Sequence, residues 1–205
     1  MSTRAVSKDK ITGVILAGGL GRRMSSDGQG TDKGLVAFGD QTMAQAVIDR
    51  LKPQVGQLLI NANRNLEAWR GLGLPVLTDR IEGFAGPLAG LEAALHAATS
   101  DWVMTVPCDS PFFPSDLVER LAEAAMTAHA QVAVARTGPQ THPVFALVRR
   151  DLQDHLNAFL ATGRRRIDAW YAPLDVVEVD FIDEAAFVNI NTEQDLQRHA
   201  PRISR

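Results

Sequence analysis

Four short apolar runs, each stopping abruptly at glycine, asparagine or aspartate, constrain this 205-residue chain more than any other feature. Val14–Ala17 stops at Gly18-Gly19, and Gln57–Asn61 runs into Asn61-Ala62-Asn63. Pro75–Thr78 stops at Asp79-Arg80, and Asp101–Val106 stops at Pro107-Cys108-Asp109. Runs of this length bounded by turn residues read as buried strands. Helical patterns lie between them. Thr42 to Leu51 has Met43, Val47, Ile48 and Leu51 at helical spacing, Thr42 as its cap and Pro53 as its stop. Leu88 to Ala98 is opened by Gly86-Pro87, with the proline where a missing N–H does no harm. Strand–helix alternation implies right-handed crossovers and a mostly parallel sheet covered on both faces. In such sheets ligands bind beyond the carboxyl ends of the strands, so the four endings together form the candidate site.

The first ending is the richest. From Thr12 to Gly34 the chain reads TGVILAGGLGRRMSSDGQGTDKG. Glycines permit positive φ and remove the Cβ that would keep a phosphate from backbone N–H groups. Arg22, Arg23 and Lys33 add positive charge, so the loop suits a polyanion such as a nucleoside triphosphate. Two better-known glycine loops are excluded. A P-loop requires G-x-x-x-x-G-K-[ST], whereas Lys33 follows Asp32 and precedes Gly34; the dinucleotide fingerprint requires a third glycine where Met24 stands, and an acidic residue where the second strand ends in Asn61.

Composition narrows the class. At 45% hydrophobic the chain can build one substantial core. A net charge of −3 argues against wholesale binding to nucleic acid or anionic membranes. The lone cysteine, Cys108, allows no intrachain disulfide and fits a reducing compartment. MSTRAVSKDK lacks an apolar segment, and no apolar run approaches 18 residues, so a soluble cytoplasmic protein is expected.

Beyond residue 110, Ser115 is expected to cap a helix from Asp116 to about Thr127. Strands are expected at 131–135 and 144–148, a helix at 151–160, a basic loop at Gly163-Arg164-Arg165-Arg166 and a strand at 175–179. A last helix follows Asn189-Ile190-Asn191, with Thr192 and Asp195 as a capping box. No repeat, linker or low-complexity tract interrupts the pattern. One domain results, with a nucleotide-binding half at about 11–110 and a second-ligand half at about 111–200.

Leu16-Ala17-Gly18-Gly19, Arg23-Met24 and Asp32-Lys33-Gly34 resemble the opening L-A-G-G-x-x-x-R-M and D-K-G motifs of the nucleotidyltransferases. Within that superfamily the chain is most similar to the molybdenum cofactor guanylyltransferase family over nearly its whole length. Ser25–Thr31 is a longer connection than that family leads one to expect. The resemblance implies a Rossmann-like three-layer α/β sandwich of the nucleotide-diphospho-sugar transferase type. It also implies transfer of GMP from GTP to molybdenum-molybdopterin, with release of pyrophosphate.

Residue chemistry and resemblance then assign roles. Asp109 is expected to hold Mg²⁺, which takes one or two carboxylates plus phosphate oxygens and water; the bland alternative is a turn residue before Ser110-Pro111. Arg23 and Lys33 suit the phosphates as a planar fork and a point charge. Asn61 can serve a base edge or ribose hydroxyl, or merely a turn. Asp79 could share the metal or pair with Arg80; the resemblance puts it at the nucleotide, and brings the backbone of Leu16, Ala17 and Gly18, with Gly19, to the base and phosphates. His142, Arg165, Asn189 and Asn191 are candidates for the molybdopterin, with a solvated charge run as the equal alternative for Arg164–Arg166. Cys108, Trp69, Trp102 and Trp170 are read as packing. The resemblance further implies molybdenum-insertion proteins and molybdoenzyme chaperones as partners, and a monomer is expected. Transfer of CMP to molybdopterin, a sugar-phosphate nucleotidyltransferase and a non-catalytic nucleotide-binding chaperone are the competing readings.

Overall fold

The computed structural model describes residues 6–17, 32–81 and 86–203. Gly18, Gly19, Gly21, Arg22, Arg23 and the Ser25–Thr31 connection lie outside the described residues.

In chain order the elements are β1 (Ile11–Leu16), β2 (Ala37–Phe38), β3 (Gln41–Thr42), α1 (Met43–Leu51), β4 (Gln57–Asn61), α2 (Leu66–Arg70), β5 (Val76–Leu77), α3 (Pro87–Ala97), β6 (Trp102–Pro107), α4 (Leu117–Ala128), β7 (Val132–Thr137), β8 (Gln140–Arg149), α5 (Gln153–Ala161), α6 (Ile167–Tyr171), β9 (Val176–Asp180) and α7 (Glu193–Ile203). Seven strands form one sheet in the order β5-β4-β1-β6-β8-β7-β9, while β2 and β3 make a separate small hairpin. The β5-β4-β1-β6 half is wholly parallel. β8 runs antiparallel to both neighbours, and β9 pairs parallel with β7. The expectation of a mostly parallel α/β sandwich is met.

Side-chain alternation along the strands builds two cores. Ile11, Ile15, Ile60 and Met104 face α1 and α4, whereas Val14, Leu59, Val103 and Val148 face α3 and α5. Strands buried on both faces must be apolar at successive positions, which is why β1 and β6 read as runs rather than as alternations.

Several local expectations hold. Thr42 Oγ1 accepts from the Gln45 amide at 3.2 Å, a cap worth about 1 kcal/mol. Thr192 and Asp195 form the capping box, with reciprocal bonds of 3.0 and 3.1 Å. Ser115, by contrast, is not the cap of α4. That position is Asp116, which makes no side-chain cap bond; instead Gln54 Oε1 accepts from the Val118 amide at 3.0 Å. A residue 64 positions away supplies the acceptor, which no local pattern announces.

β8 begins four residues before the expected Val144. Its pairing with β7 jumps from Val134↔Ala146 to Ala135↔His142, so residues 143–145 form a bulge. Pro143 sits in that bulge, where it withholds no ladder hydrogen bond. Thr105 Oγ1 and the Tyr171 hydroxyl donate to the Val144 and Pro143 carbonyls at 2.5 and 2.9 Å and hold the bulge in place.

Candidate active site

The parallel half-sheet lines up its carboxyl ends. Leu16 is in register with Asn61 and with Pro107, and Asn61 with Leu77. The ladder continues past these ends: Ala17 N–H donates to the Asn61 carbonyl (2.8 Å), Ala62 to Leu77 (2.9 Å) and Cys108 to Leu16 (3.1 Å). Asp79, Asn61, Ala17 and Asp109 therefore stand on one rim. The cleft above it has a volume of about 340 Å³, and Lys33, Cys108 and Asn189 also line it.

Asp109 and Lys33, 76 residues apart in the chain, meet here at 3.3 Å, with side-chain exposures of 14% and 19%. Burial pushes the Asp109 carboxyl up from its ordinary range, and Lys33 only partly pulls it back. Lys33 also donates to Asn191 Oδ1.

The neighbouring residues explain why Lys33 points here. Asp32 is buried and accepts from Asn65 Nδ2 (2.9 Å), Trp69 Nε1 (3.2 Å) and the Arg64 guanidinium (3.4 Å). It is an anchor for the lysine rather than a reacting group. Gly34 is required sterically, because a Cβ there would stand 2.4 Å from Trp69 and 3.2 Å from Cys108 Cβ. Trp69 and Cys108, read as packing, thus pack against the loop that carries Lys33. Burial holds the Cys108 thiol far above its usual range, so it is no nucleophile.

Asn61 and Asp79 form a second fixed group. Asp79 accepts from Asn61 Nδ2 at 3.0 Å and Asn63 Nδ2 at 2.8 Å, and donates its amide to Asn63 Oδ1 at 2.8 Å. Asp79 does not pair with Arg80, which donates to the buried Glu92 on α3 at 2.8 Å. Asn61 is confined from above by Gly90, where a Cβ would stand 2.4 Å from its Oδ1. Asn63 and Gly90 are supporting residues that the sequence reading missed. Asn63 was visible in Asn61-Ala62-Asn63; Gly90 carried no signal, because a helix-interior glycine shows its purpose only when the facing strand is known.

A second cavity, about 470 Å³, adjoins the first and shares Pro107, Val144 and Asn189 with it. His142 lines it, with Nε2 2.7 Å from Thr137 Oγ1 and its ring stacked on Phe187 at 4.7 Å. Burial lowers the His142 pKa. Asp195, Arg198 and His199 of α7 complete its polar wall, and none of the three was expected as a site residue. Asn189 lines both cavities and accepts from the Ser110 hydroxyl at 2.6 Å. Arg165 lines neither: its guanidinium donates to the Leu160 carbonyl at the end of α5 (2.8 Å).

The donor set fits a divalent cation. Asp79 has both oxygens engaged, while Asp109 is a half-compensated buried carboxylate at the rim. Among the described residues there is no group of three His, Cys, Asp or Glu side chains that could cage a metal. A site with one protein carboxylate suits a cation that takes most of its ligands from a phosphate chain and water.

A largely buried lysine–carboxylate pair and a polar rim beyond parallel strand ends are an arrangement suited to a nucleotidyl-transferring domain. The model of the MobA-like NTP transferase domain matches residues 13–176. A molybdenum cofactor guanylyltransferase of Cupriavidus metallidurans is 49% identical, covering 95% of this chain and 96% of that one. One from Shewanella putrefaciens is 48% identical, covering 93% and 96%. The crystal structure of molybdopterin-guanine dinucleotide biosynthesis protein A from Archaeoglobus fulgidus superposes with a TM-score of 0.76 over 94% of this chain and 98% of that one, at 22% identity, and so matches the fold. The chain belongs to the MobA-like NTP transferase family and is a nucleotidyltransferase.

Proposed function

We propose that this protein transfers GMP from GTP to molybdenum-molybdopterin, releasing pyrophosphate and forming the guanine dinucleotide cofactor. The supporting observation is the meeting of Lys33 and Asp109 at 3.3 Å on a rim shared with Asn61 and Asp79, in a chain nearly half identical to named guanylyltransferases.

The acceptor's phosphate oxygen forms a bond to the α-phosphorus as the bond to the bridging oxygen of pyrophosphate breaks. A phosphate nucleophile is already ionised near neutral pH, so no side chain has to remove a proton. The protein aligns the reactants and offsets charge. Lys33 and, by the motif, Arg23 serve the phosphates. Asn61 and Asp79, each fixed by the other, present amide and carboxylate edges for the ribose or base. The backbone of Leu16 and Ala17 lines the rim, and the motif assigns Gly18 and Gly19 to the nucleotide. Asp109 would hold Mg²⁺, which when bound supplies neutralisation of the triphosphate. His142 and Asn189 line the adjoining cavity and are assigned to the pterin; Arg165 points elsewhere.

The test is a competition. Molybdopterin, Mg²⁺ and equal GTP, CTP and ATP are supplied, and the dinucleotide product is identified by mass spectrometry. A guanine product is expected. A cytosine product would move the base assignment, and absence of product with nucleotide bound would remove molybdopterin as the acceptor.

A further inference from the structure

We infer that Asn191 is a positioning residue for Lys33, acting on the nucleotide side of the reaction rather than as a contact for the acceptor; the inference rests on the guanylyl-transfer reading. The backbone of Lys33 is fixed by the buried Asp32 and by Gly34 against Trp69, but its ammonium rides on a flexible four-carbon stem. Two acceptors fix that ammonium: Asp109 Oδ2 and, 158 residues along the chain, Asn191 Oδ1.

These acceptors differ in kind. Asp109 neutralises Lys33, and a cation bound at Asp109 competes for the same carboxylate. Asn191 is a neutral acceptor, so it holds the ammonium in place while leaving its charge for the phosphates. Asn191 is itself fixed: its amide donates to Asp195 Oδ2 at 3.1 Å and its Nδ2 to the Asn189 carbonyl at 3.3 Å. The segment is joined directly to the catalytic turn, since Ile190 N–H donates to the Asp109 carbonyl at 2.8 Å and the Ser110 hydroxyl to Asn189 at 2.6 Å. The capping box of α7 thus sets the position of a lysine in the nucleotide cleft.

The experiment is a double-mutant cycle read by calorimetric binding of GTP with Mg²⁺ and no acceptor present. Asn191→Ala should weaken binding on the order of ten-fold, the lower end for losing a hydrogen bond to a charged group. Asn191→Asp, nearly the same size, should weaken it further by neutralising Lys33. In a Lys33→Ala background Asn191→Ala should change binding less than about two-fold, because coupled residues are not additive. Effects that multiply, or unchanged GTP binding with a raised KM for molybdopterin, would overturn the inference. Circular dichroism checks folding, and Asn191→Asp carries the test if the alanine variant unfolds. The guanylyl reading fails separately, as absent GTP binding by the unmodified protein. The cycle is then run with the nucleotide that does bind, and binding of none overturns both.

Discussion

Two polar regions of this protein look equally promising by composition: the rim around Asp109 and the loop Arg164-Arg165-Arg166. They are built differently. At the rim Lys33, Asp79 and Asn61 each have a residue set behind them. Asp32 fixes the start of the Lys33 segment, Asn63 fixes Asp79, and Gly90 lets Asn61 stand close to α3. In the arginine loop each cation is spent locally. Arg164 lies 4.7 Å over Phe159, Arg165 caps the end of α5, and Arg166 donates to Asp168 at 3.1 Å on the open surface. An exposed pair between near neighbours contributes little. Support from a second layer, rather than charge density, separates a site from a solvated charge run.

That contrast can be broken most sharply at Asp109. Asp109→Ala should lower kcat by on the order of 10³-fold, the scale of losing one electrostatic stabiliser of the transition state or more, with little change in melting temperature. Near-normal activity of the variant at the Mg²⁺ level that serves the unmodified enzyme would remove the residue from the site. Chelation of divalent ions should abolish turnover of the unmodified enzyme equally.

The supporting layer comes next. Gly34→Ala must displace Trp69 or the lysine segment, at a cost of about 1–3 kcal/mol for overpacking, a fall of roughly 2–4 °C in Tm per kcal/mol for a chain this size. Its kcat should fall as well. Unaltered Tm and kcat would show that the ring has room to move. Asn63→Ala touches no ligand by itself; by freeing one Asp79 oxygen it should raise the KM for GTP about five- to ten-fold, the scale of one net hydrogen bond. A change confined to the acceptor's KM would place Asp79 elsewhere.

His142 provides a proton-linked test of the second cavity. Its pKa is lowered by burial, so the unfolded chain binds the proton more tightly. Stability from this group is full above the ordinary value of 6.5 and is lost as pH falls through 6.5 toward the folded value. By NMR its ring should titrate below 6.5, and a midpoint at that ordinary value would place the ring in water. The smallest effect belongs to the other side of the comparison. Arg166→Ala should change both KM values less than about two-fold and stability by no more than about 0.5 kcal/mol. A ten-fold rise in the acceptor's KM would restore the loop to the site.

Much of this was legible in advance. β4 begins and ends where the apolar run does, Thr42 and Thr192 cap as their neighbours indicated, and the rim residues Asn61, Asp79 and Asp109 follow strand ends because parallel crossovers leave them nowhere else. The misses share one cause. Gln54 capping α4 and Gly90 against Asn61 are contacts between segments far apart in the chain, and the bulge that admits Pro143 is held by the equally remote Thr105 and Tyr171.

By itself the sequence determined the period of each element, the order of strands and helices, and which chemical groups stand at strand ends, because these depend on side-chain type and short-range backbone sterics. Only the tertiary structure decided that Lys33 meets both Asp109 and Asn191, that Asp79 turns from Arg80 to two asparagines, and that Arg165 turns away from the cavities. A flexible charged side chain has several partners within reach, and which one it takes depends on the close packing of segments that the chain brings together only when it folds.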